Sequence, residues 1–209
     1  EQIYLSYFNN SKSILSDYEI IEWWFEVENE ILSLSPLTNN ETLETVTYDD
    51  ICFKPMGDYC ILESFTQYYY GDISNLPEDD WKGNIEHCAE TPVDCLPIFQ
   101  QPLKNNLVFG GDEDSPVLDS KAIVVTLLLN NDNNQTSDQI INSKIWESTL
   151  KTYLINLQDI AYSKGLRLTF STEISLEEEL NRSTSTDIRI IVLSYIFMFA
   201  YASLALGGS

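Results

Sequence analysis

From Ile190 to Leu206 the chain reads IIVLSYIFMFAYASLAL, with no charge and with polar atoms only on Ser194, Tyr195, Tyr201 and Ser203. A helix that crosses a bilayer needs roughly 20 predominantly apolar residues. A core helix of an ordinary soluble domain would keep a polar face instead. The run therefore predicts a membrane-spanning helix over residues 188–209, preceded by a membrane-proximal linker over 175–187 that carries Glu177, Glu178 and Glu179. Residues 1–174 are polar and acidic, and predict a folded domain held at a membrane surface by that helix. Glu1-Gln2-Ile3 reads as the middle of a domain, which predicts a piece of something longer.

Charge narrows the partners. The chain holds 33 acidic and 11 basic side chains, a net charge of −22. Nucleic acid needs a basic footprint and is excluded. Docking of the domain surface on anionic lipid is disfavoured. The charge fits a partner with a basic patch, or an acidic compartment in which partial protonation relieves self-repulsion.

The four cysteines form two close pairs, Cys52 with Cys60 and Cys88 with Cys95, with seven and six residues between partners. That spacing is too loose for a CxxC metal or redox motif, and the single histidine, His87, adds little to a ligand set. Two short-loop disulfides are predicted, on an oxidising, non-cytosolic face. Glycosylation sequons at Asn9, Asn40 and Asn134 agree with that side of the membrane, whereas the one at Asn181 lies too near the span to be readily modified.

Alternation of Ile3, Leu5 and Tyr7 with Tyr4 and Ser6 predicts a strand, and Asn9 to Leu15 a polar loop. Ser16 and Glu19 have capping-box spacing. Ile20, Trp24, Val27 and Ile31 follow at helical intervals, predicting an amphipathic helix to about Ser33, with one of Trp23 and Trp24 in the core and the other at its edge. Residues 34–50 read as loop, Ile61 to Tyr70 as a short helix, and Ser74 to Glu86 as an acidic loop carrying Trp81. Ala122 to Leu129 is an almost unbroken apolar run, predicting a central strand or one buried on both faces. A helix after Ser137, with Ile141, Ile145, Leu150, Tyr153, Leu157 and Ile160 as its apolar positions, stops at Lys164-Gly165. Leu166, Leu168 and Phe170 form the last strand, and a further strand near Asn106 to Gly110 would complete the set. The expected architecture is α+β, a ferredoxin-like (split βαβ) antiparallel sheet with helices on one face.

No catalytic set emerges. One histidine beside a disulfide cysteine offers neither a nucleophile nor a Ser-His-Asp triad. Gly110-Gly111-Asp112 is a turn rather than a phosphate loop, and Asp112, Glu113 and Asp114 do not have the spacing of an EF-hand. The expectation is a protein that is not an enzyme, with no cofactor and no metal.

The tail Glu178-Glu179-Leu180-Asn181-Arg182, then Ser194-Tyr195, then Met198-Phe199-x-Tyr201-x-Ser203-Leu204-Ala205-Leu206-Gly207, resembles the Niemann-Pick type C1 family where its middle lumenal domain meets the first helix of the sterol-sensing domain. Glu1-Gln2-Ile3, Asp50-Ile51-Cys52, Leu107-Val108-Phe109-Gly110-Gly111 and Leu168-Thr169-Phe170-Ser171-Thr172-Glu173 are similar to further segments of that domain, in family order. The asparagine runs point to a fungal member.

The resemblance implies the lumenal domain of an intracellular sterol transporter in the vacuolar, lysosomal or late endosomal membrane. Its partner would be a soluble sterol carrier of the Niemann-Pick type C2 kind, which docks on two protruding loops and hands over sterol. Those loops correspond here to Asn9–Leu15 and to about Tyr70–Trp81. Both differ from the animal versions, and the adjacent phenylalanines of the animal second loop are absent, so individual contacts do not carry over. Because aromatic tips commonly anchor interfaces, Phe8, Tyr70 and Trp81 are the expected partner-binding residues, with Trp81, among Glu78, Asp79 and Asp80, the most exposed of them. The alternatives are a structural spacer in a resistance-nodulation-division-type permease, and a Patched-like ligand-binding domain.

Overall fold

The period-2 pattern at the N-terminus produces the middle of a sheet. Strand β1, Gln2–Tyr7, alternates buried Ile3, Leu5 and Tyr7 with more exposed neighbours. The computed structural model describes residues 1–38, 44–55, 57–111, 115–130 and 138–206. The chain divides into two units, Glu1–Thr172 and Glu173–Ser209.

In the first unit, Ile14 to Ser16 form a 3-10 turn with Ile14 and Leu15 buried, so the predicted polar loop after β1 has an apolar end. Helix α1, Tyr18–Leu32, is capped by Asp17, whose carboxylate accepts from the Glu19 amide. The cap is thus one residue later than the Ser16 box predicts. Trp24 is fully buried and Trp23 half-buried, as the sequence reading required. A one-turn helix α2, Tyr48–Ile51, takes up the end of the stretch read as loop; the Asp50 carboxylate accepts from the Thr47 amide and hydroxyl at its start.

Strand β2 is only Leu62–Glu63, and Phe65 to Tyr69 follow as a 3-10 helix capped by the Ser64 hydroxyl. The single helix expected over Ile61–Tyr70 is therefore split, because Leu62 and Glu63 are taken up in strand pairing. The stretch read as an acidic loop, Ser74–Glu86, contains two 3-10 turns and the start of helix α3, Trp81–Glu90, which buries Ile85, Cys88 and Ala89. A helical turn α4, Asn105–Val108, precedes strand β3, Phe109–Gly110, where a longer strand was expected.

Strand β4, Ala122–Leu127, is central, as its apolar run predicts. It pairs antiparallel with β1 on one side and with β2 and β3 on the other. Its alternate residues Ile123, Val125 and Leu127 are buried, and those between them are half-buried. Helix α5, Asp138–Ser163, ends at Gly165, whose φ of +76° suits glycine and turns the chain into strand β5, Leu166–Ser171. The buried face of α5 holds the apolar Ile140, Trp146, Leu150, Leu154, Leu157 and Ala161 together with Ser143 and Glu147, whereas Ile141 and Ile160 are about half exposed. The predicted core positions of this helix were one residue out of phase at several points.

The result is mixed helix and antiparallel sheet, in the order β2-β4-β1-β5 with β3 also against β4. Register places Ile3 opposite Val125 and Phe170, Leu5 opposite Ile123 and Leu168, and Tyr7 opposite Leu166. These residues share one core with the buried faces of α1 and α5. The two predicted disulfides are present, Cys52–Cys60 and Cys88–Cys95, with Cα separations of 5.5 and 5.4 Å.

The second unit is helix α6, Glu173–Leu206, which includes residues 175–187 without a break. Among the described residues it is the one helix long and apolar enough to cross a membrane, by length and composition. Its apolar and aromatic residues from Ile190 to Phe199 are at least half exposed. The Ser194 hydroxyl donates back to the Ile191 carbonyl at 2.8 Å, which satisfies it within the helix.

Candidate partner-docking surface

Phe8 leaves β1 with its amide donating to the Gly165 carbonyl at 3.2 Å, which ties the end of β1 to the turn before β5. Its ring is 42% exposed. It stands edge-on to Tyr162, with centroids 5.2 Å apart, and the Arg167 guanidinium carbon lies 5.4 Å from its centroid. Tyr162 is itself 70% exposed. The apolar content of this corner is therefore displayed rather than buried.

Tyr70 is presented differently. It caps the 3-10 helix with φ +57°, a left-handed conformation that costs a non-glycine residue free energy. The surroundings hold it there. The Gly71 amide donates to the Thr66 carbonyl at 3.0 Å, and the Asn29 side-chain amide donates to the Gly71 carbonyl at 3.0 Å. Beneath, the Glu28 carboxylate of α1 accepts from the Ser64 hydroxyl at 2.6 Å, from the Thr66 hydroxyl, and from the Gln67 side-chain amide at 3.3 Å. Burial pushes the Glu28 carboxyl above its ordinary range, and the hydroxyl and amide donors pull it back only in part. On top of this buried polar set the Tyr70 side chain is 61% exposed.

Trp81 is not the exposed loop tip that its acidic neighbours suggested. It opens α3, is half-buried against the core, and packs on Tyr18 with ring centroids 5.9 Å apart. The physical reason is tertiary: Tyr18, in the first turn of α1, supplies an apolar partner that Glu78–Asp80 cannot reveal in sequence. No ring contact joins any two of Phe8, Tyr70 and Trp81 among the described residues. Trp81 lies against Tyr18 at one end of α1 and Tyr70 beside Asn29, eleven residues on, or about 16 Å along the helix axis.

Two features escaped the sequence reading. Glu28 occupies a position on the buried stripe of Ile21, Trp24 and Ile31, and a carboxylate in register with such residues is the signal that finds it. Tyr162 and Arg167 join Phe8 only through the pairing of β1 with β5.

The remaining expected sites fall as follows. Asn9 is exposed, and its side-chain oxygen accepts from the Ser11 amide at 3.0 Å. Asn40 and Asn134 lie outside the described residues, as do Asp112, Glu113 and Asp114. His87 faces the Asp94 carboxylate at 3.5 Å, with both side chains more than half exposed. A cleft of about 900 Å³ is bordered by Val93, Leu103, Lys104, Asn105, Phe109 and Val117, and its described lining contains no carboxylate, histidine or cysteine.

The family model described as "NPC1, middle luminal domain" matches residues 3–174. The chain is similar to NPC intracellular cholesterol transporter 1 of Sus scrofa, at 29% identity over 90% of this chain and 16% of that protein. It is similar to NPC1-like intracellular cholesterol transporter 1 of Rattus norvegicus, at 27% identity over 80% of this chain and 14% of that protein. A homologue from Caenorhabditis elegans, NPC intracellular cholesterol transporter 1 homolog 1, is 22% identical over 90% of this chain and 16% of that protein. The chain thus spans about a sixth of the length of the curated relatives it matches.

Proposed function

The chain belongs to the family of NPC1 middle luminal domains, and from that premise we propose that it is the docking platform of an intracellular sterol transporter. A soluble sterol carrier of the Niemann-Pick type C2 kind binds the lumenal unit, and sterol passes onward to the membrane through the rest of the transporter. Relatives named as intracellular cholesterol transporters support the sterol. Two disulfides support an oxidising lumen, here assigned to the vacuole, lysosome or late endosome. The exposed apolar surface of α6 supports a spanning helix, because lipid is the solvent in which such a surface is stable. The strand order β2-β4-β1-β5 supports a ferredoxin-like reading of the core, with α1 and α5 as its crossovers.

The observation that carries the docking role is Tyr70: an exposed aromatic side chain on a left-handed backbone, between a 3-10 helix that Glu28 ties to α1 and Gly71, whose carbonyl accepts from Asn29. Strain maintained by surrounding structure marks functional positions, and a rigid exposed tyrosine is a common interface anchor. Phe8 is the second anchor. The test is carrier affinity of Tyr70→Ala, Phe8→Ala and the double variant. A loss of about tenfold or more in each single variant is expected. Unchanged affinity in the double variant would remove the docking site and favour a structural spacer.

A further inference from the structure

On α1 the acids Glu19, Glu22, Glu26 and Glu30 recur every three or four residues, and so lie along one side of the helix. Like charges at this spacing repel each other. Glu30 also stands in the last turn, where the helix macrodipole favours a cation, and that turn holds no basic residue. Among the described residues none of the four forms an ion pair. Lys164, whose ammonium lies over the Trp23 ring at 5.4 Å, pairs with none of them. A local arrangement that breaks the usual rules with nothing nearby to compensate is a mark of function.

The second half of this stripe borders a groove of about 180 Å³ between α1 and α5. Buried Val27 and Leu157 form its apolar floor. Half-buried Trp23 and half-exposed Ile160 extend that apolar surface, and Glu26 and Glu30 add two carboxylates. The Tyr153 hydroxyl donates to the Glu30 carboxylate at 2.5 Å, which holds it in place without neutralising its charge. Glu26 is exposed. The groove is therefore apolar at its base and negative at its edge.

We propose that this groove receives one arginine side chain of a partner protein, carried on a segment in which apolar residues flank the arginine. The volume is too small for a free ligand of drug size, whose sites run to roughly 300 Å³ or more, and suits a single long side chain. The methylenes of the arginine lie on Val27, Leu157 and Ile160, as the stems of cationic side chains do on apolar surface. Its guanidinium meets the Glu26 and Glu30 carboxylates and stacks on Trp23. Lysine fits less well, because an ammonium is more strongly hydrated and lacks the planar fork that matches carboxylates. A second copy of this chain is a poorer occupant. It offers Arg167, which lies over its own Phe8, and Arg182 and Arg189, which are both on α6. Neither Phe8 nor Tyr70 lines the groove, so the inference stands apart from the docking reading.

The test titrates the full chain, in detergent or nanodiscs, with a short blocked peptide whose central arginine lies between leucines, at neutral pH and low salt. Peptides with citrulline or lysine in place of the arginine are the controls. The indole N–H resonance of Trp23, assigned with Trp23→Phe, reports occupancy. A saturable shift is expected with the arginine peptide, and binding about tenfold or more weaker with the other two. Glu26→Gln is expected to weaken the arginine peptide about tenfold, while Glu90→Gln, which makes the same charge change on α3, matches wild type. Thermal unfolding midpoints establish that both variants are folded. No binding, equal binding of the arginine and citrulline peptides, or unchanged binding in Glu26→Gln would overturn the proposal. Equal binding of the arginine and lysine peptides would overturn the assignment to arginine. Self-association of the wild-type chain without peptide, lost in Glu26→Gln, would give the groove to a second copy and overturn the proposal as well.

Discussion

Ser64 donates a hydrogen bond of 2.6 Å to the Glu28 carboxylate at a point where both residues are closed off from solvent. The contact joins α1 to the 3-10 helix whose far end presents Tyr70. A buried carboxylate is costly when ionised and favourable when its hydrogen bonds are complete, so this join depends on pH.

Burial raises the Glu28 pKa above the ordinary 4.5. The folded state therefore holds a proton that the unfolded state releases, and stability from this group is greatest below the ordinary value. It declines as pH rises from about 4.5 to the raised folded value. Glu28→Gln removes that decline. Urea unfolding midpoints across this window should fall with pH less steeply in the variant than in the parent. Parallel pH profiles would show that Glu28 does not titrate differently on folding.

Gly165 positions Phe8 through the carbonyl that accepts from the Phe8 amide. A Cβ added at Gly165 would meet nothing within 4 Å, so the penalty of Gly165→Ala comes only from its φ of +76°. A loss of about 1 kcal/mol is expected in denaturant unfolding, with carrier affinity reduced as the Phe8 corner shifts. Full stability in the variant would show that the turn tolerates a left-handed alanine.

Trp81 and Tyr70 should separate stability from binding. Trp81→Ala removes half-buried packing on Tyr18 and is expected to cost about 1–3 kcal/mol. Tyr70→Ala removes an exposed ring and is expected to stay within about 0.5 kcal/mol of wild type while weakening the carrier. Thermal unfolding with parallel binding measurements distinguishes them. Loss of binding in a fully stable Trp81→Ala would return Trp81 to the interface.

Strands β1 and β5 were legible because each has one buried face, and alternation records that directly. β2 and β3 were not, because two residues are too few to show a period. In α5 the adjacent pairs Ile140-Ile141, Ile145-Trp146, Tyr153-Leu154 and Ile160-Ala161 offer two phases of the same helical stripe. Only the packing against β5 and α2 selects one. α3 was hidden by the acidic run before it and by Gly83. The proposed aromatic anchors followed the same rule. Phe8 and Tyr70 could be singled out as aromatics beside polar loops, but whether each is exposed depends on Tyr162, Asn29 and Glu28, which arrive from other elements.

Binding of the sterol-loaded carrier to the full chain, with sterol-free carrier as the control, at about pH 5 and about pH 7, tests the docking role most directly. The account predicts saturable binding that favours the loaded carrier and is lost in the Phe8→Ala/Tyr70→Ala variant. Absence of binding at both pH values, or equal binding by wild type and the double variant, would contradict it.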